Sequence, residues 1–258
     1  MHSVRQGSGP PLLLVHGLGS SSRSWETVTM ALAKERELIA VDLPGFGETP
    51  PPTGEVSIAT LADELTTFIA DNDLGEIDLV GSSMGARLVL ELARRGVGGA
   101  VVALDPGGFW TPGQLRFFSI SLRASIALVR ALQPVLPALT GNPVGRTALL
   151  VQFSARPWAL PGGVALRELR GFTASPSFDA ALDSLVHGPL QEGMPVGSAR
   201  HRIVIGWGRQ DRVCFPSQAK QAQAKFPEAE LHWFKRSGHF PHWDEPAEVV
   251  EVILLNTG

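Results

Sequence analysis

Ser83 lies in the part of the chain that is best suited to covalent chemistry. It stands at the centre of the segment 81–85, Gly-Ser-Ser-Met-Gly, which matches the pattern G-x-S-x-G. The apolar run 77–80 predicts a strand and the segment 86–95 predicts a helix, which places Ser83 on a sharp strand-to-helix turn. Such a turn lifts the hydroxyl above the sheet edge and predicts that Ser83 is a nucleophile. Ser82 is the rival, although the glycines are centred on Ser83.

A nucleophilic serine needs a neighbouring base, and the chain offers seven histidines. His239 follows the predicted strand 230–234 and precedes the last predicted helix. Open α/β sheets present their ligands in loops at the C-terminal ends of strands, which favours His239 as the base. His242 stands three residues further on, satisfies the same spacing and stays an alternative.

A carboxylate must fix the tautomer and the orientation of that histidine. Asp211 follows the predicted strand 203–205 through a short loop, which gives the chain order serine, aspartate, histidine that is typical of such sheets. Asp105 also comes directly after a predicted strand, 100–104, and is the main alternative. The order of the motifs favours Asp211 as the third member of a catalytic triad.

Acyl chemistry also needs hydrogen-bond donors for a developing negative oxygen. The amide of Met84 follows the nucleophile at the N-terminus of a predicted helix, where the helix dipole favours negative charge. The amide of Leu18 lies in the glycine-flanked loop 16–19 after the first strong predicted strand. Leu18 and Met84 are therefore the predicted oxyanion donors, and we expect His16 to hold the loop.

Short apolar runs alternate with helix-period segments along most of the chain. This pattern is typical of a mostly parallel sheet with helices on both faces. The two predicted strands not yet mentioned are 12–15 and 38–41. These two and the runs 77–80, 100–104 and 203–205 are short and almost entirely apolar, as strands buried on both faces should be. The predicted fold class is α/β with a doubly wound, mostly parallel sheet.

The alternation fails between residues 110 and 193, where proline, glycine and aromatic residues surround short helical pieces. We interpret 110–193 as an inserted helical cap, which leaves 1–109 and 194–258 as the core domain. Three arginines recur every seven residues along one side of a predicted cap helix: Arg116, Arg123 and Arg130. A solvated stripe is the favoured interpretation, with a membrane surface or an anionic ligand as the alternative.

Composition limits the partners and cofactors of the protein. A net charge of −3 gives no electrostatic reason to expect nucleic acid or an anionic membrane as a partner. The single cysteine, Cys214, excludes an intrachain disulfide and a cysteine-based metal site. No stretch predicts a transmembrane helix or a secretory signal. We therefore expect a cytoplasmic protein that acts on a small apolar molecule without a cofactor or metal, and its oligomeric state is left open.

Five motifs, taken in this order, resemble those of the α/β-hydrolase superfamily. They are the loop 16–19, the turn 42–47, the segment 81–85, the loop 206–211 and the pair Gly238-His239. The resemblance implies a sheet of about eight strands with the cap inserted after the sixth. Because only about ten residues precede Pro11, the first strand of that family is expected to be missing or short.

The resemblance also implies a serine hydrolase, and the leading hypothesis is a carboxylic ester hydrolase that works through an acyl-enzyme. The segment 207–212 and Trp243 after His239 look like hydrolases of ring meta-cleavage products, whereas Ser82 stands where those enzymes usually carry asparagine. A carbon–carbon bond hydrolase is therefore the first alternative. It would hold its substrate carboxylate with a cap arginine, such as Arg116, Arg123, Arg156 or Arg167. A perhydrolase or a receptor without turnover are further alternatives.

Overall fold

A sheet of seven strands runs through the centre of the protein. The computed structural model describes residues 1–258. The strands are β1 (Ser3–Gln6), β2 (Pro11–Val15), β3 (Glu37–Val41), β4 (Asp78–Ser82), β5 (Val101–Leu104), β6 (Ile203–Gly208) and β7 (Glu230–Phe234). Their spatial order is β1-β3-β2-β4-β5-β6-β7, and only β1 runs antiparallel to its neighbour. The predicted mostly parallel α/β sheet is confirmed.

The sheet differs in two respects from the one that the family resemblance implies. It has seven strands instead of about eight, and the inserted helices follow the fifth strand instead of the sixth. The reason lies at the sheet edge, where the residues before Pro11 form one strand of four residues. This strand, Ser3–Gln6, pairs antiparallel with β3, so the short strand expected at this edge is β1.

Eleven helices pack around the sheet. Six belong to the alternating part of the chain: α1 (Glu26–Leu32), α2 (Ile58–Asp71), α3 (Met84–Arg94), α9 (Ala219–Lys225), α10 (Pro241–Asp244) and α11 (Pro246–Asn256). Five follow one another between β5 and β6: α4 (Pro112–Ala131), α5 (Leu136–Gly141), α6 (Pro143–Leu150), α7 (Gly162–Ala174) and α8 (Phe178–His187). We call residues 110–193, which contain these five, the cap segment; its standing as a separate domain stays a prediction. None of the helices has both the length and the apolar character that crossing a membrane requires.

Alternate residues of the central strands enter two different hydrophobic cores, because successive side chains of a strand point to opposite faces. Leu13 and Val15 of β2 belong to a core of 49 buried residues that also includes residues of α2, α3 and the cap segment. Leu12 and Leu14 belong to a core of 15 buried residues shared with α1 and α11. Burial on both faces explains why these strands are continuously apolar in sequence.

The arginine stripe of the cap segment lies at the surface of α4. Arg123 pairs with Asp183, and Arg130 pairs with Asp179, both partners being on α8. Every side chain of these two pairs is more than 40% exposed. Exposed pairs of this kind contribute at most about 1 kcal/mol to stability. Arg116 is exposed as well, and the positions of all three arginines support the interpretation of a solvated stripe.

A buried arginine, Arg36, joins the N-terminal ends of the central strands. Arg36, which is 3% exposed, donates through Nη2 to Asp78 Oδ2 over 2.7 Å. Its Nε donates to the carbonyl of Pro10 over 2.9 Å, just before β2 begins. The other oxygen of Asp78 accepts the amide of Ala100 over 2.8 Å, just before β5. One ion pair therefore joins the N-terminal edges of β2, β3, β4 and β5.

Replacement of Arg36 by methionine is expected to lower the free energy of unfolding by about 3 kcal/mol, because it leaves the largely buried Asp78 carboxylate without its cation. Urea denaturation followed by circular dichroism measures the change. Arg202→Met is the matched control, because Arg202 pairs with Glu230 on the surface and both side chains are more than half exposed. Its expected cost is under about 1 kcal/mol. Equal losses in the two variants would contradict the assignment of this role to Arg36.

Candidate active site

The C-terminal ends of four parallel strands meet at one edge of the sheet and carry the residues that the sequence selects. Leu18 follows β2, Ser83 follows β4, Asp211 follows β6 and His239 follows β7. Strands β2 and β4 are neighbours in the sheet although β3 lies between them in sequence. This reversal of the strand order opens a crevice, which is the usual ligand position in sheets of this type.

Ser83 lies on a strained turn between β4 and α3. Its φ of 57° falls in a region that favours glycine and costs another residue about 1–3 kcal/mol. The turn depends on close backbone contacts, because a Cβ on Gly81 would overlap Gly85 and a Cβ on Gly85 would overlap the carbonyl of Val15. The amide of Ser83 donates to the carbonyl of Leu104 over 2.9 Å, which ties the turn to β5. The two glycines thus make the turn possible.

Three side chains form a hydrogen-bonded chain at the strand ends. Ser83 Oγ lies 2.8 Å from His239 Nε2, and His239 Nδ1 lies 2.8 Å from Asp211 Oδ2. His239 is 2% exposed and Asp211 is 3% exposed. With its proton on Nδ1, the imidazole donates to the carboxylate and leaves Nε2 as an acceptor for the serine hydroxyl. In this arrangement a histidine can take a proton from a serine.

Backbone amides hold the carboxylate of Asp211 in its orientation. Oδ1 accepts the amides of Val213 over 2.7 Å and Cys214 over 3.0 Å, which leaves Oδ2 for the imidazole. The loop itself is anchored on β7, where the guanidinium of Arg209 lies 3.8 Å from the ring centroid of Trp233. Cation–π contacts stabilise such an arrangement by about 0.5–2 kcal/mol. The carboxylate is therefore positioned before any substrate binds.

Asp105, the alternative carboxylate, supports the loop that carries Asp211. Its Oδ1 accepts the amide of Gly208 over 2.8 Å, at the end of β6. Complete burial, together with the neighbouring charge of Asp211, raises the pKa of Asp105 well above its usual range. A neutral carboxyl group cannot balance the charge of an imidazolium. The geometry and the charge state therefore both favour Asp211 over Asp105 as the partner of His239.

The rival base and the rival nucleophile lie outside the hydrogen-bonded chain. The ring of His242 packs against Trp25 with 4.9 Å between centroids, and neither of its nitrogens has a hydrogen-bond partner. Burial and the proximity of His239 lower the pKa of His242 to about 3, so the ring is neutral and a weak base. Ser82 is 1% exposed, and its hydroxyl has no partner either.

His16 fixes the loop that carries Leu18. The amide of Leu43 donates to His16 Nε2 over 3.0 Å, so Nε2 carries no proton and Nδ1 donates to the carbonyl of Gly17 over 2.7 Å. Burial lowers the pKa of His16 and favours this neutral form. The imidazole thereby joins the loop after β2 to the turn after β3.

Leu18, in the loop after β2, and Met84, in the helix after β4, both lie next to Ser83. Met84 is the first residue of α3, and the first amides of a helix have no partner within it. Gly17 packs so closely that a Cβ on it would lie 3.2 Å from the Cβ of Ser83. Leu18 and Ser83 line the same cavity. That the amides of Leu18 and Met84 bind an oxyanion stays a prediction.

A narrow apolar cavity of about 30 Å³ covers Ser83. Nine of its eleven lining residues are hydrophobic: Leu18, Phe118, Leu122, Phe153, Phe172, Phe178, Leu185, Val213 and Phe240. The other two are Ser83 and His239, so no arginine reaches the cavity. Sites for small molecules usually span about 300–1,000 Å³. The aromatic side chains of the cap segment must therefore move before a substrate can bind.

Asp244 is a site residue that the sequence interpretation missed. Its Oδ2 accepts the amide of Gly238 over 2.8 Å, and its Oδ1 accepts the hydroxyl of Ser154 over 2.5 Å. The amide of His239 donates to the carbonyl of Phe153 over 2.8 Å in the same place. The loop of His239 is thus bound to the cap segment. Nothing in the sequence links Asp244 to Ser154, which lies 90 positions away.

Three residue types that bind metals also meet at this point. Donor atoms of Asp211, Cys214 and His239 lie within 4.8 Å of one another. The carboxylate and the imidazole are already hydrogen-bonded to each other. Burial raises the pKa of Cys214 well above its usual range, so the thiol keeps its proton, whereas metals bind the thiolate. Because the carboxylate and the imidazole already bond to each other, this donor set fits proton transfer.

Known proteins share both the sequence pattern and the fold. A family model described as the alpha/beta hydrolase family matches residues 12–252. An uncharacterized protein of Mycobacterium tuberculosis is 30% identical over 270 residues, which are 96% of this chain and 75% of that protein. The 2-hydroxy-6-oxo-2,4-heptadienoate hydrolase of Pseudomonas putida is 28% identical over 269 residues, which are 98% of this chain and 90% of that protein. A thermophilic esterase from Thermogutta terrifontis has a TM-score of 0.76 at 20% identity, with 98% of this chain and 91% of that chain covered. With this match over nearly its whole length, the chain belongs to the alpha/beta hydrolase family.

Proposed function

We propose that the protein hydrolyses uncharged carboxylic esters through an acyl-enzyme on Ser83. The observation that carries the proposal is the hydrogen-bonded chain of Ser83, His239 and Asp211 at the floor of an apolar cavity. The fixed tautomer of His239 and the strained turn that carries Ser83 support the same assignment. Both hold the imidazole and the hydroxyl in the geometry that proton transfer requires.

In the first half of the reaction, Ser83 Oγ attacks the ester carbonyl carbon while His239 Nε2 takes the hydroxyl proton. The carbonyl oxygen becomes negative and accepts hydrogen bonds from the amides of Leu18 and Met84. His239 then gives the proton to the departing alcohol oxygen. The carbon–oxygen bond breaks and leaves the acyl group on Ser83.

In the second half, a water molecule takes the place of the alcohol. His239 removes a proton from this water, the hydroxide adds to the acyl carbon, and the proton returns to Ser83 Oγ as the acid leaves. Throughout, the carboxylate of Asp211 stabilises the imidazolium that forms in each half. Apart from water, this sequence requires no co-reactant.

The lining of the cavity supports an apolar acyl group as the part of the substrate next to Ser83. Five phenylalanines contribute to it: Phe118, Phe153, Phe172, Phe178 and Phe240. Burial of apolar surface among them provides about 25 cal/mol per Å². A charged acyl group would lose its hydration there without gaining a partner.

Carbon–carbon bond hydrolysis is the second candidate, and it is favoured by the similarity to the 2-hydroxy-6-oxo-2,4-heptadienoate hydrolase over nearly the whole chain. A heptadienoate carries a carboxylate, which needs a cation or several donors when it is desolvated. The arginines that the sequence offers lie elsewhere: Arg123 binds Asp183 and Arg167 binds Glu26. The absence of an arginine from the cavity lining therefore favours the ester.

Substrate preference is expected to follow the apolar lining. p-Nitrophenyl butyrate should be hydrolysed, whereas 2-hydroxy-6-oxo-2,4-heptadienoate should show a kcat/KM at least about 100-fold lower, because its carboxylate has no partner in the cavity. Parallel absorbance assays with the same enzyme sample measure both rates. Faster turnover of the dienoate would overturn the ester assignment and leave the second candidate.

Replacement of Ser83 by alanine is expected to lower kcat for p-nitrophenyl butyrate by about 10⁵-fold, because the acyl-enzyme can no longer form. A fluorophosphonate should label the wild type with one equivalent at Ser83 and should leave the variant unlabelled, as mass spectrometry of the peptide would report. Ser82→Ala is the matched control, since it removes the neighbouring hydroxyl and should keep labelling within about threefold. Undiminished turnover by Ser83→Ala would contradict the assignment.

The two neighbouring carboxyl groups are expected to respond differently to replacement by an amide. Asp211→Asn should lower kcat by about 10³- to 10⁴-fold, because an amide no longer stabilises the imidazolium or enforces the tautomer. Asp105→Asn should cost less than about tenfold, because the neutral amide still accepts the amide of Gly208. Steady-state kinetics at pH 8 measure both, and a larger loss in Asp105→Asn would reverse the assignment.

A further inference from the structure

Glu168 is the one buried acid of the cap segment. It is 5% exposed, whereas the side chains of Asp179, Asp183 and Glu192 are more than 60% exposed. It lies on α7, outside the hydrogen-bonded chain of Ser83. A carboxyl group is buried at considerable cost unless it has a partner, so its contacts require an explanation.

The partner of Glu168 is in the loop that carries Leu18. The hydroxyl of Ser20 donates to Glu168 Oε2 over 2.7 Å. The amide of Ser20 donates in turn to the carbonyl of Gly17 over 3.3 Å, which closes the turn around Leu18. The Glu168 side chain on α7 thus holds Ser20, the residue that closes the turn around Leu18.

The backbones of helix and loop are in contact at the same place. A Cβ on Gly171 would overlap the carbonyl of Gly19, and a Cβ on Gly19 would come within 2.6 Å of the ring of Phe178. Gly171 follows Glu168 by three residues, so both lie on the face of α7 that meets the loop. A small rotation of α7 therefore displaces the loop as well.

We propose that Glu168 is a positioning residue that sets the loop 17–20, and with it the amide of Leu18, through its hydrogen bond to Ser20. The inference rests on the proposed function, because it concerns the oxyanion donor of that reaction. Donors act on the transition state more than on the bound substrate, so a displaced Leu18 amide lowers the rate of the chemical step and leaves ground-state binding nearly unchanged.

The protonation of Glu168 makes this contact dependent on pH. Burial raises the pKa of Glu168 to about 7, although the bond to Ser20 and the charge of Arg167 act in the opposite direction, and Glu26 adds to the rise. Other charged groups line a cleft of about 640 Å³ beside it: Arg23, Asp42, Glu48, Arg170 and, when protonated, His2. The cleft gives protons access to the carboxyl group.

The direction of the effect follows from the two charge states. Above pH 7 the ionised carboxylate accepts a charge-assisted bond from Ser20, which is about twice as strong as a neutral one. Below pH 7 the group is neutral and holds the loop less firmly. Stability changes in the opposite direction: the contribution of Glu168 is complete below the ordinary pKa of 4.5 and is lost as the pH rises through about 7.

The test is the rate of phosphonylation of Ser83 by a fluorophosphonate, which uses the oxyanion donors and requires no ester substrate. Glu168→Ala should lower the maximal labelling rate by about tenfold, with the half-saturating reagent concentration changed less than about twofold. Glu168→Gln should restore most of the rate, because its amide can still bond to Ser20. In the wild type the rate should rise as the pH passes through about 7, and this part of the pH dependence should be absent in Glu168→Gln.

Two further variants separate positioning from general damage. Glu48→Gln removes an exposed charge from the same cleft and should leave both the rate and the pH profile unchanged. Ser20→Ala should lower the rate as Glu168→Ala does, and the double variant should be no slower than either single one. Thermal unfolding as a function of pH should show that Glu168→Gln loses the decrease in stability that the wild type undergoes between about pH 4.5 and 7.

The outcomes are distinguishable from failure of the proposed function. Labelling rates and pH profiles that are the same in wild type, Glu168→Gln and Glu168→Ala would overturn the role of Glu168 and leave the ester hydrolase standing. A wild type that the reagent does not label at Ser83 would overturn both. Independent, multiplicative losses in Glu168→Ala and Ser20→Ala would show that the bond between them does not carry the effect.

Discussion

The site depends on one packing contact, in which the turn that carries Ser83 lies against the end of β2. Gly85 lies against the carbonyl of Val15, and Gly81 lies against Gly85, so β2, β4 and α3 can approach only as bare backbone. This close approach holds Ser83 at a φ of 57°, which no isolated chain would keep. Ser83 and the loop with Leu18 are thereby positioned by one packing contact, and Asp211 and His239 are brought to them by β6 and β7.

Electrostatics then distinguish groups that look alike in sequence. Asp211 receives two backbone amides and an imidazole, whereas Asp105 receives one amide and is neutral through burial beside Asp211. His239 bonds to a serine and a carboxylate, whereas His242 packs between aromatic rings and does not protonate at neutral pH. The roles of these four residues differ because their hydrogen-bond partners differ, not because their residue types do.

The sheet and the three residues at its edge could be predicted from sequence because both depend on local patterns. Continuously apolar runs define the strands, and Ser83, Asp211 and His239 each follow one of them closely. The contacts of Asp244 and Glu168 could not be predicted, because each joins the cap segment to the core, across 90 positions to Ser154 and across 148 positions to Ser20. The family resemblance implied about eight strands with the first one missing or short, and the seven strands observed include the short edge strand β1.

The hydrogen bonds between Asp244 and residues 154–156 limit how the cap segment can vary. Residues 153–156 are bonded to His239 and Asp244, so an insertion there would displace His239 along with this part of the cap segment. Helices α4 and α5 carry no hydrogen bond to the loop of His239, so substitutions of their inner side chains leave the bonds that hold the imidazole in place. The two parts of the cap segment therefore differ in how freely their residues can change.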